Sequence, residues 1–442
     1  MTKSDILDER IRLLVGELVG SAPMPPPLPD PGAQRRWRQR RHRRLVARSL
    51  ASVVAAAAIA LAALLAPTLG VTSSPRWALA GAISPSWSQV AGPSPTFAFS
   101  LTCPGATTCY AESPASVEVT RDGGKAWQSA PTQGASPLSN VACSATMQCA
   151  FLEAGSNGKP VFLTTGDAGT TWVTHAGPAG LSRYYSVHVV PVPAGVSTGP
   201  AVAGAVRILG PIDLSCPRAS VCTVVVPNGA FVTVDGGRKW SAAAPPWPPS
   251  LVQCFPDARC VTVGPSGASY STDNGLRWSP ADDPAFFLGP FGPPGGLSCS
   301  SPETCLAVLS PAGEPGATLL VSSDGGESWS PLKVRGLAAG RDYTSLSCPA
   351  ASQCWMSGNA PVSFGGRTVY PGARGVVLST SNGGRNWQSM VLPGGISSID
   401  AIYCPSTRTC YALASRGPVL PSAGRGAARP SFVLLAYAAP GH

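Results

Sequence analysis

The sequence predicts an all-β protein, a seven-bladed β-propeller of four-stranded blades, and three observations predict it. The 14 cysteines fall into seven pairs, every one spaced C-x5-C. A second pattern, S/T-x-D-x-G-x-x-W, follows six of those pairs. Gly (49) and Pro (47) are abundant while charged residues make up 12% of the 442 positions. These two residues are the poorest helix formers, so the balance suits short strands joined by turns. An apolar fraction of 44% and 11 Trp argue for a packed fold rather than a disordered chain.

The cysteine pairs set the period. They are Cys103 with Cys109, Cys143 with Cys149, Cys216 with Cys222, Cys254 with Cys260, Cys299 with Cys305, Cys348 with Cys354, and Cys404 with Cys410. Their first members lie 40, 73, 38, 45, 49 and 56 positions apart, and a repeat of about 40–50 residues with strand-like content is the length of a propeller blade. An inner strand ending at the first Cys and a second strand starting at the other would make C-x5-C a disulfide-closed hairpin. Closing so short a loop gives about 2 kcal/mol per bridge on the loop-entropy model. Metal sites are the poorer reading, because two Cys do not complete a tetrahedral site. No metal and no cofactor is expected.

The second motif reads as a hairpin turn. Its copies are Thr120-Asp122-Gly124-Trp127, Thr165-Asp167-Gly169-Trp172, Thr233-Asp235-Gly237-Trp240, Ser271-Asp273-Gly275-Trp278 and Ser322-Asp324-Gly326-Trp329, with Asn in the sixth, Thr380-Asn382-Gly384-Trp387. The Asp or Asn accepts backbone N–H groups across the turn, Gly supplies a positive φ, and Trp opens the next strand and packs its ring. These residues explain a turn without any ligand. The six copies resemble the Asp-box (BNR) repeat of sialidase-like propellers over residues 84–442. The last Cys pair is followed by one strand, Ser431 to Tyr437, and no seventh box. An N-terminal strand near Trp87 is therefore expected to complete the last blade and remove its free edge.

Strand order divides the blades into two faces. Cys hairpins and Asp boxes share one face and vary little in length. The second-to-third loops and the blade-to-blade connections share the other, which carries the length variation and is where binding is expected. The 44-residue step from Trp172 to Cys216 holds Arg183, Tyr184, Tyr185, His188 and Arg207. The 33-residue step from Cys354 to Trp387 holds Trp355, Phe364, Arg367, Tyr370 and Arg374. Between blades 5 and 6 lie Lys333, Arg335, Arg341, Asp342 and Tyr343. Arginines among aromatics suit anionic or sugar ligands, through bidentate hydrogen bonds and ring stacking.

The N-terminal part reads differently. Ser49 to Val71 is an uncharged, Ala-rich stretch long enough for one transmembrane helix. Arg35 to Arg48 carries eight Arg just before it, so the positive-inside rule puts the N-terminus in the cytoplasm and the propeller outside, where disulfides persist. The expected domains are a cytoplasmic tail, 1–48, a single membrane span, 49–71, a linker, 72–83, and the propeller, 84–442. Within the tail, Leu7, Ile11, Leu14 and Leu18 form one helical stripe, followed by a Pro-rich spacer. Residues 1–48 hold a net charge of +6 out of +10. The basicity is thus a local tail, and nucleic acid is not an expected partner.

These features point to a membrane-anchored, non-catalytic module that binds an envelope polysaccharide or a protein partner. The Asp-box resemblance implies an alternative, a sialidase-like glycoside hydrolase. Such enzymes use an Arg triad, a Tyr nucleophile with a Glu partner, and an acidic Asp. This chain has no Arg between Trp77 and Thr120, where the first of the triad belongs, and the look-alike Val206-Arg207-Ile208-Leu209 is misplaced. Glu112 and Glu153 are the Glu residues expected on the variable face. The chain also resembles the photosystem II stability and assembly factors, also seven-bladed, which implies an assembly role. A transmembrane sensor with the Leu14 helix as its inner arm is the remaining alternative.

Overall fold

The computed structural model describes residues 86–93, 100–113, 116–130, 136–155, 157–188, 205–282, 291–311, 316–337, 340–359, 362–364, 367–369, 375–416 and 431–438. The expected tail 1–48, span 49–71 and linker 72–83 lie outside them. Among the described residues no helix is long and apolar enough to cross a membrane.

Seven four-stranded antiparallel sheets follow one another along the chain. Blade 1 consists of Ser100–Thr102, Cys109–Glu112, Val117–Thr120 and Gln128–Ser129, each hydrogen-bonded to the next. Blades 2 to 6 repeat this order. Blade 7 takes three strands, Ile396–Ser406, Thr409–Arg416 and Ser431–Ala438, from the C-terminal end. Its fourth is Ser86–Ala91, paired from Ser86↔Ala438 to Ala91↔Val433. The N-terminal strand closes the ring, as the missing seventh Asp box implies.

All seven Cys pairs form disulfides: Cys103–Cys109, Cys143–Cys149, Cys216–Cys222, Cys254–Cys260, Cys299–Cys305, Cys348–Cys354 and Cys404–Cys410. Cys143↔Cys149, Cys254↔Cys260 and Cys299↔Cys305 face each other directly across the first and second strands of their blades. The expectation that the second strand starts at the second Cys is corrected for Cys149, Cys222, Cys354 and Cys410. The first two strands pair past the bridge at Ala145↔Gln148 in blade 2, Arg218↔Val221 in blade 3, Ala350↔Gln353 in blade 6 and Ser406↔Thr409 in blade 7. A register shift ahead of each of these pairs lets the ladder resume beyond the cysteines. Cys222 and Cys410 therefore stand inside their strands, 1% and 0% exposed, and pack into the hydrophobic cores. These two bridges stiffen the body and offer nothing to a ligand.

The Asp boxes are built alike. The Thr120 hydroxyl donates to Asp122 Oδ1 (2.8 Å) and accepts the Gly124 N–H (2.8 Å), while the same carboxylate oxygen accepts the Ala126 N–H (3.0 Å). Asn382 does the same work with its side-chain oxygen, accepting the Asn386 N–H at 2.9 Å, which is why an uncharged residue suffices there. The residue before each box Gly donates its N–H to the Cys hairpin of its own blade, as from Gly123 to Thr107 O (2.9 Å) and from Gly236 to Ser220 O (2.9 Å). These bonds place both turns at one end of each blade, hereafter the disulfide face.

The box Trp does more than cover its own hairpin. Trp240 meets Phe162 of blade 2 edge-on at 5.1 Å, and its indole N–H donates to Ala176 O of that blade. Trp127 likewise donates to Ala91 O of the closing strand. These boxes therefore wedge into the seam with the preceding blade. Gly237 has φ 88°, and a Cβ there would lie 2.4 Å from the Phe162 ring. Gly158 also has a positive φ, 72°, but nothing lies within 4 Å of a Cβ built on it. Gly237→Ala is expected to destabilise by about 2–4 kcal/mol, and Gly158→Ala by about 1 kcal/mol, the backbone strain alone. Denaturant unfolding of the two variants checks this. Equal losses would mean the seam yields to the added methyl.

Candidate functional site

The innermost strands of all seven blades surround a central channel of about 600 Å³. An innermost strand has no further strand to pair with, so its polar groups on that side need other partners. Side chains of the preceding blade supply them. Asn140 brackets Leu214, accepting its N–H (2.8 Å) and donating to its carbonyl (3.1 Å). Gln253 brackets Cys299 in the same way, and Asn359 brackets Ile399. Ser215, Ser298 and Ser347 accept the N–H groups of Cys254, Cys348 and Cys404. Between blades 7 and 1 the contact lies outside the inner strand, where the Tyr411 hydroxyl donates to Ala106 O of the blade 1 Cys hairpin.

Two carboxyls share this duty. Glu112, fully buried, accepts the Val141 N–H of blade 2 at 2.7 Å through Oε1. Asp213, in the channel wall, accepts the Val252 N–H of blade 4 at 2.7 Å through Oδ2. Burial raises both, to about 7, against the hydrogen bonds that lower them. Asp400 is also raised by burial, offset by hydroxyls of Ser415 and Ser398. Glu153, expected on the variable face, is fully buried as well. The expectation of Glu112 and Glu153 on that side holds for position, but both side chains point into the body. None of these seam contacts follows from the repeat pattern alone.

Among the described residues the face opposite the disulfides carries two added hairpins. Tyr185–His188 pairs with Ala205–Ile208 in the connection from blade 2 to blade 3, preceded by a 3₁₀ helix, Ala179–Tyr184. Val362–Phe364 pairs with Arg367–Val369 between the second and third strands of blade 6. Both insertions open on the same side, hereafter the loop face, as the length pattern requires.

The candidate ligand residues divide into groups. Arg183 is exposed at the end of the 3₁₀ helix, with Tyr184 half-buried beside it. Arg207 and Arg367 lie on the strands of the two hairpins. Tyr370 and Arg374 lie outside the described residues. Arg335 is exposed, yet its backbone accepts from Trp387 N–H and donates to Arg385 O, so it sits against the blade 6 Asp box. Arg341 is half-buried.

Three aromatic candidates are corrected. Tyr343 is completely buried in the core shared by blades 5 and 6, and Trp355 is 4% exposed, 6.1 Å from the Tyr437 ring. Tyr185 is 5% exposed, with its hydroxyl donating to Gly158 O at 2.9 Å. All three sit in strands at inward-facing positions, where a large ring fills the seam instead of meeting a ligand. Among the described residues no group of three His, Cys, Asp or Glu side chains could hold a metal ion.

No family profile and no curated protein sequence matches the chain. Solved structures do match its fold. The YCF48 bound to D1 peptide superposes with a TM-score of 0.50 at 15% identity, over 83% of this chain and 100% of its own. YCF48 from Cyanidioschyzon merolae gives 0.50 at 14%, over 80% and 98%. The GH74 enzyme of Niastella koreensis gives 0.53 at 14%, over 74% of this chain and 52% of the enzyme. At these identities the likeness is one of fold: this chain is similar to β-propellers that include both a peptide-bound protein and a glycoside hydrolase.

Proposed function

We propose that the chain is a membrane-anchored, extracytoplasmic propeller that acts as a non-catalytic binding module, holding an envelope glycan or a protein partner on its loop face. The observation that carries this reading is the placement of both added hairpins on one face of an otherwise regular ring. Long loops on a rigid scaffold are where binding concentrates. Seven disulfides support an oxidising compartment. The buried carboxyls Glu112 and Asp213 are committed to backbone N–H groups of neighbouring blades, which favours a scaffold over a two-carboxylate hydrolase. The fold neighbour bound to a peptide makes a protein segment a reasonable partner to test beside a polysaccharide.

The test is saturable binding of the purified chain to isolated cell-wall polysaccharide and, separately, to detergent-solubilised envelope proteins. Wild type is compared with an Arg183→Ala/Arg367→Ala variant. Loss of two charge-assisted hydrogen bonds is expected to weaken binding by about a hundredfold or more. Turnover of a fluorogenic sialoside by wild type, abolished in the variant, would replace this reading with a hydrolase.

A further inference from the structure

The chain enters the propeller at its disulfide face. Ser431–Ala438 is the third strand of blade 7, so Ala438 ends where the other blades carry an Asp box. Ser86 pairs with Ala438, so it lies at that same face, and Ser86–Ala91 runs from there toward the loop face. The proposed membrane span ends at Val71. Residues 72–85 connect it to Ser86 and, fully extended, reach at most about 50 Å. A tether from such a span would join the propeller at the rim of its disulfide face.

The chemistry of this face over blades 2 to 4 bears on what it could meet. Met147, Val234 and Leu276 are 54%, 56% and 41% exposed. They occupy the Cys hairpin of blade 2 and the Asp-box turns of blades 3 and 4. Arg238, Lys239 and Arg277 are exposed in the same two Asp-box turns, and Arg218 is exposed in the Cys hairpin of blade 3. The carboxylates on this face keep their charge but turn their oxygens to local donors, Asp167 accepting the Thr171 N–H and the Thr165 hydroxyl. Asp235 accepts the Lys239 N–H and the Thr233 hydroxyl, and Asp273 accepts the Arg277 N–H and the Ser271 hydroxyl. Asp257 pairs with Arg259 at 2.9 Å. Arg238 stands near enough to Asp235 to help hold its pKa down, and Arg218 donates to Pro256 O. Lys239 and Arg277 take part in neither of these side-chain contacts. Apolar tips set among cations suit an anionic headgroup layer, which attracts Lys and Arg and accepts apolar side chains at its inner boundary.

We infer that the disulfide face of blades 2–4 docks on anionic lipid headgroups, with Met147, Val234 and Leu276 as its apolar contacts, and thereby presents the loop face away from the membrane. The tether part of this inference rests on the reading of 49–71 as a span.

The experiment uses the full chain with vesicles of equal parts phosphatidylcholine and phosphatidylglycerol. A photo-crosslinker is placed at one exposed site, as Leu276→p-benzoylphenylalanine. The control site is Val391, 85% exposed on the blade 6 to blade 7 connection at the loop face. Lipid adducts are expected at Leu276 and not at Val391. Charge reversal at Arg238, Lys239 and Arg277 to Glu is expected to cut the Leu276 adduct by roughly fivefold per cation removed. Adducts at Val391 in place of Leu276, or none at either site, overturn the docking surface. Leu276 adducts that are equal on pure phosphatidylcholine and unmoved by charge reversal overturn the anionic recognition. Alkaline carbonate washing of membranes separates the two readings. A chain washed off that still forms Leu276 adducts on anionic vesicles refutes the span and keeps the docking face. A chain retained without Leu276 adducts refutes the docking face and keeps the span.

Discussion

A chain lacking Ser86–Ala91 is expected to lose its cooperative unfolding transition and to become open to proteolysis across blades 7 and 1. The strand pairs along all six residues with Ser431–Ala438. Trp87 is 4% exposed and lies 5.6 Å from the Tyr437 ring, inside the blade 7 core. At the other end, Ala91 O accepts the Trp127 indole N–H of the blade 1 Asp box at 2.9 Å. The strand thus joins the last blade to the first, and its loss exposes an edge along Ser431–Ala438 as well as a core face. A milder probe keeps the backbone: Trp87→Ala is expected to cost about 3–5 kcal/mol, the range for removing a large buried ring. Denaturant melts followed by Trp fluorescence measure both. A deletion variant with the wild-type midpoint would mean that blades 1 to 6 hold the ring shut without this strand.

Closure was legible because the repeat is so regular. Six boxes and seven Cys pairs leave one blade short of a turn, and Trp87 is a box-type Trp without its box. The faces were legible for the same reason, since constant spacings marked one side and the 44- and 33-residue steps the other. Strand ends were less so: C-x5-C fixes the bridge but not the register shifts that carry the strands past Cys149, Cys222, Cys354 and Cys410. The aromatic ligand candidates were not legible. Tyr343 and Trp355 stand in long segments, but each falls on a strand position whose side chain points into a seam, and segment length carries no information about that alternation. The seam hydrogen bonds were half-visible. Ser215, Gln253, Ser298 and Ser347 each precede the first Cys of their pair, a polar residue at a fixed place in an otherwise apolar strand. Their partners sit one blade further on, 39 to 57 residues away, which no local pattern indicates.

The pH dependence of stability follows from the two seam carboxyls, and its sign is opposite to that of most proteins. Glu112 moves from 4.5 to about 7 and Asp213 from 3.8 to about 7, both through burial. Below about pH 4 each is protonated whether the chain is folded or not, and their contribution to stability is fully present. As pH rises toward 7 the unfolded chain releases these protons while the folded one retains them, so stability falls across that window. Above it both states are ionised and the loss is complete, at about 3 kcal/mol for Glu112 and about 4 kcal/mol for Asp213. The Asp boxes act in a separate window. Hydrogen bonds from Thr171 and Thr165 hold Asp167 at about 2, and similar bonds lower Asp122 and Asp235, so their contribution is lost as pH falls below the ordinary Asp range. Maximum stability is therefore expected near pH 4–5. Glu112→Gln and Asp213→Asn should flatten the alkaline limb and raise stability at pH 8, because amides already do this work at Asn140, Gln253 and Asn359, accepting an N–H and returning one to the carbonyl. Denaturant melts of the wild type and the double variant at pH 4.5, 6 and 8 decide it. Parallel curves would mean that both carboxyls ionise in the folded ring at ordinary acidity, with channel water reaching Asp213 and the Glu112 pocket.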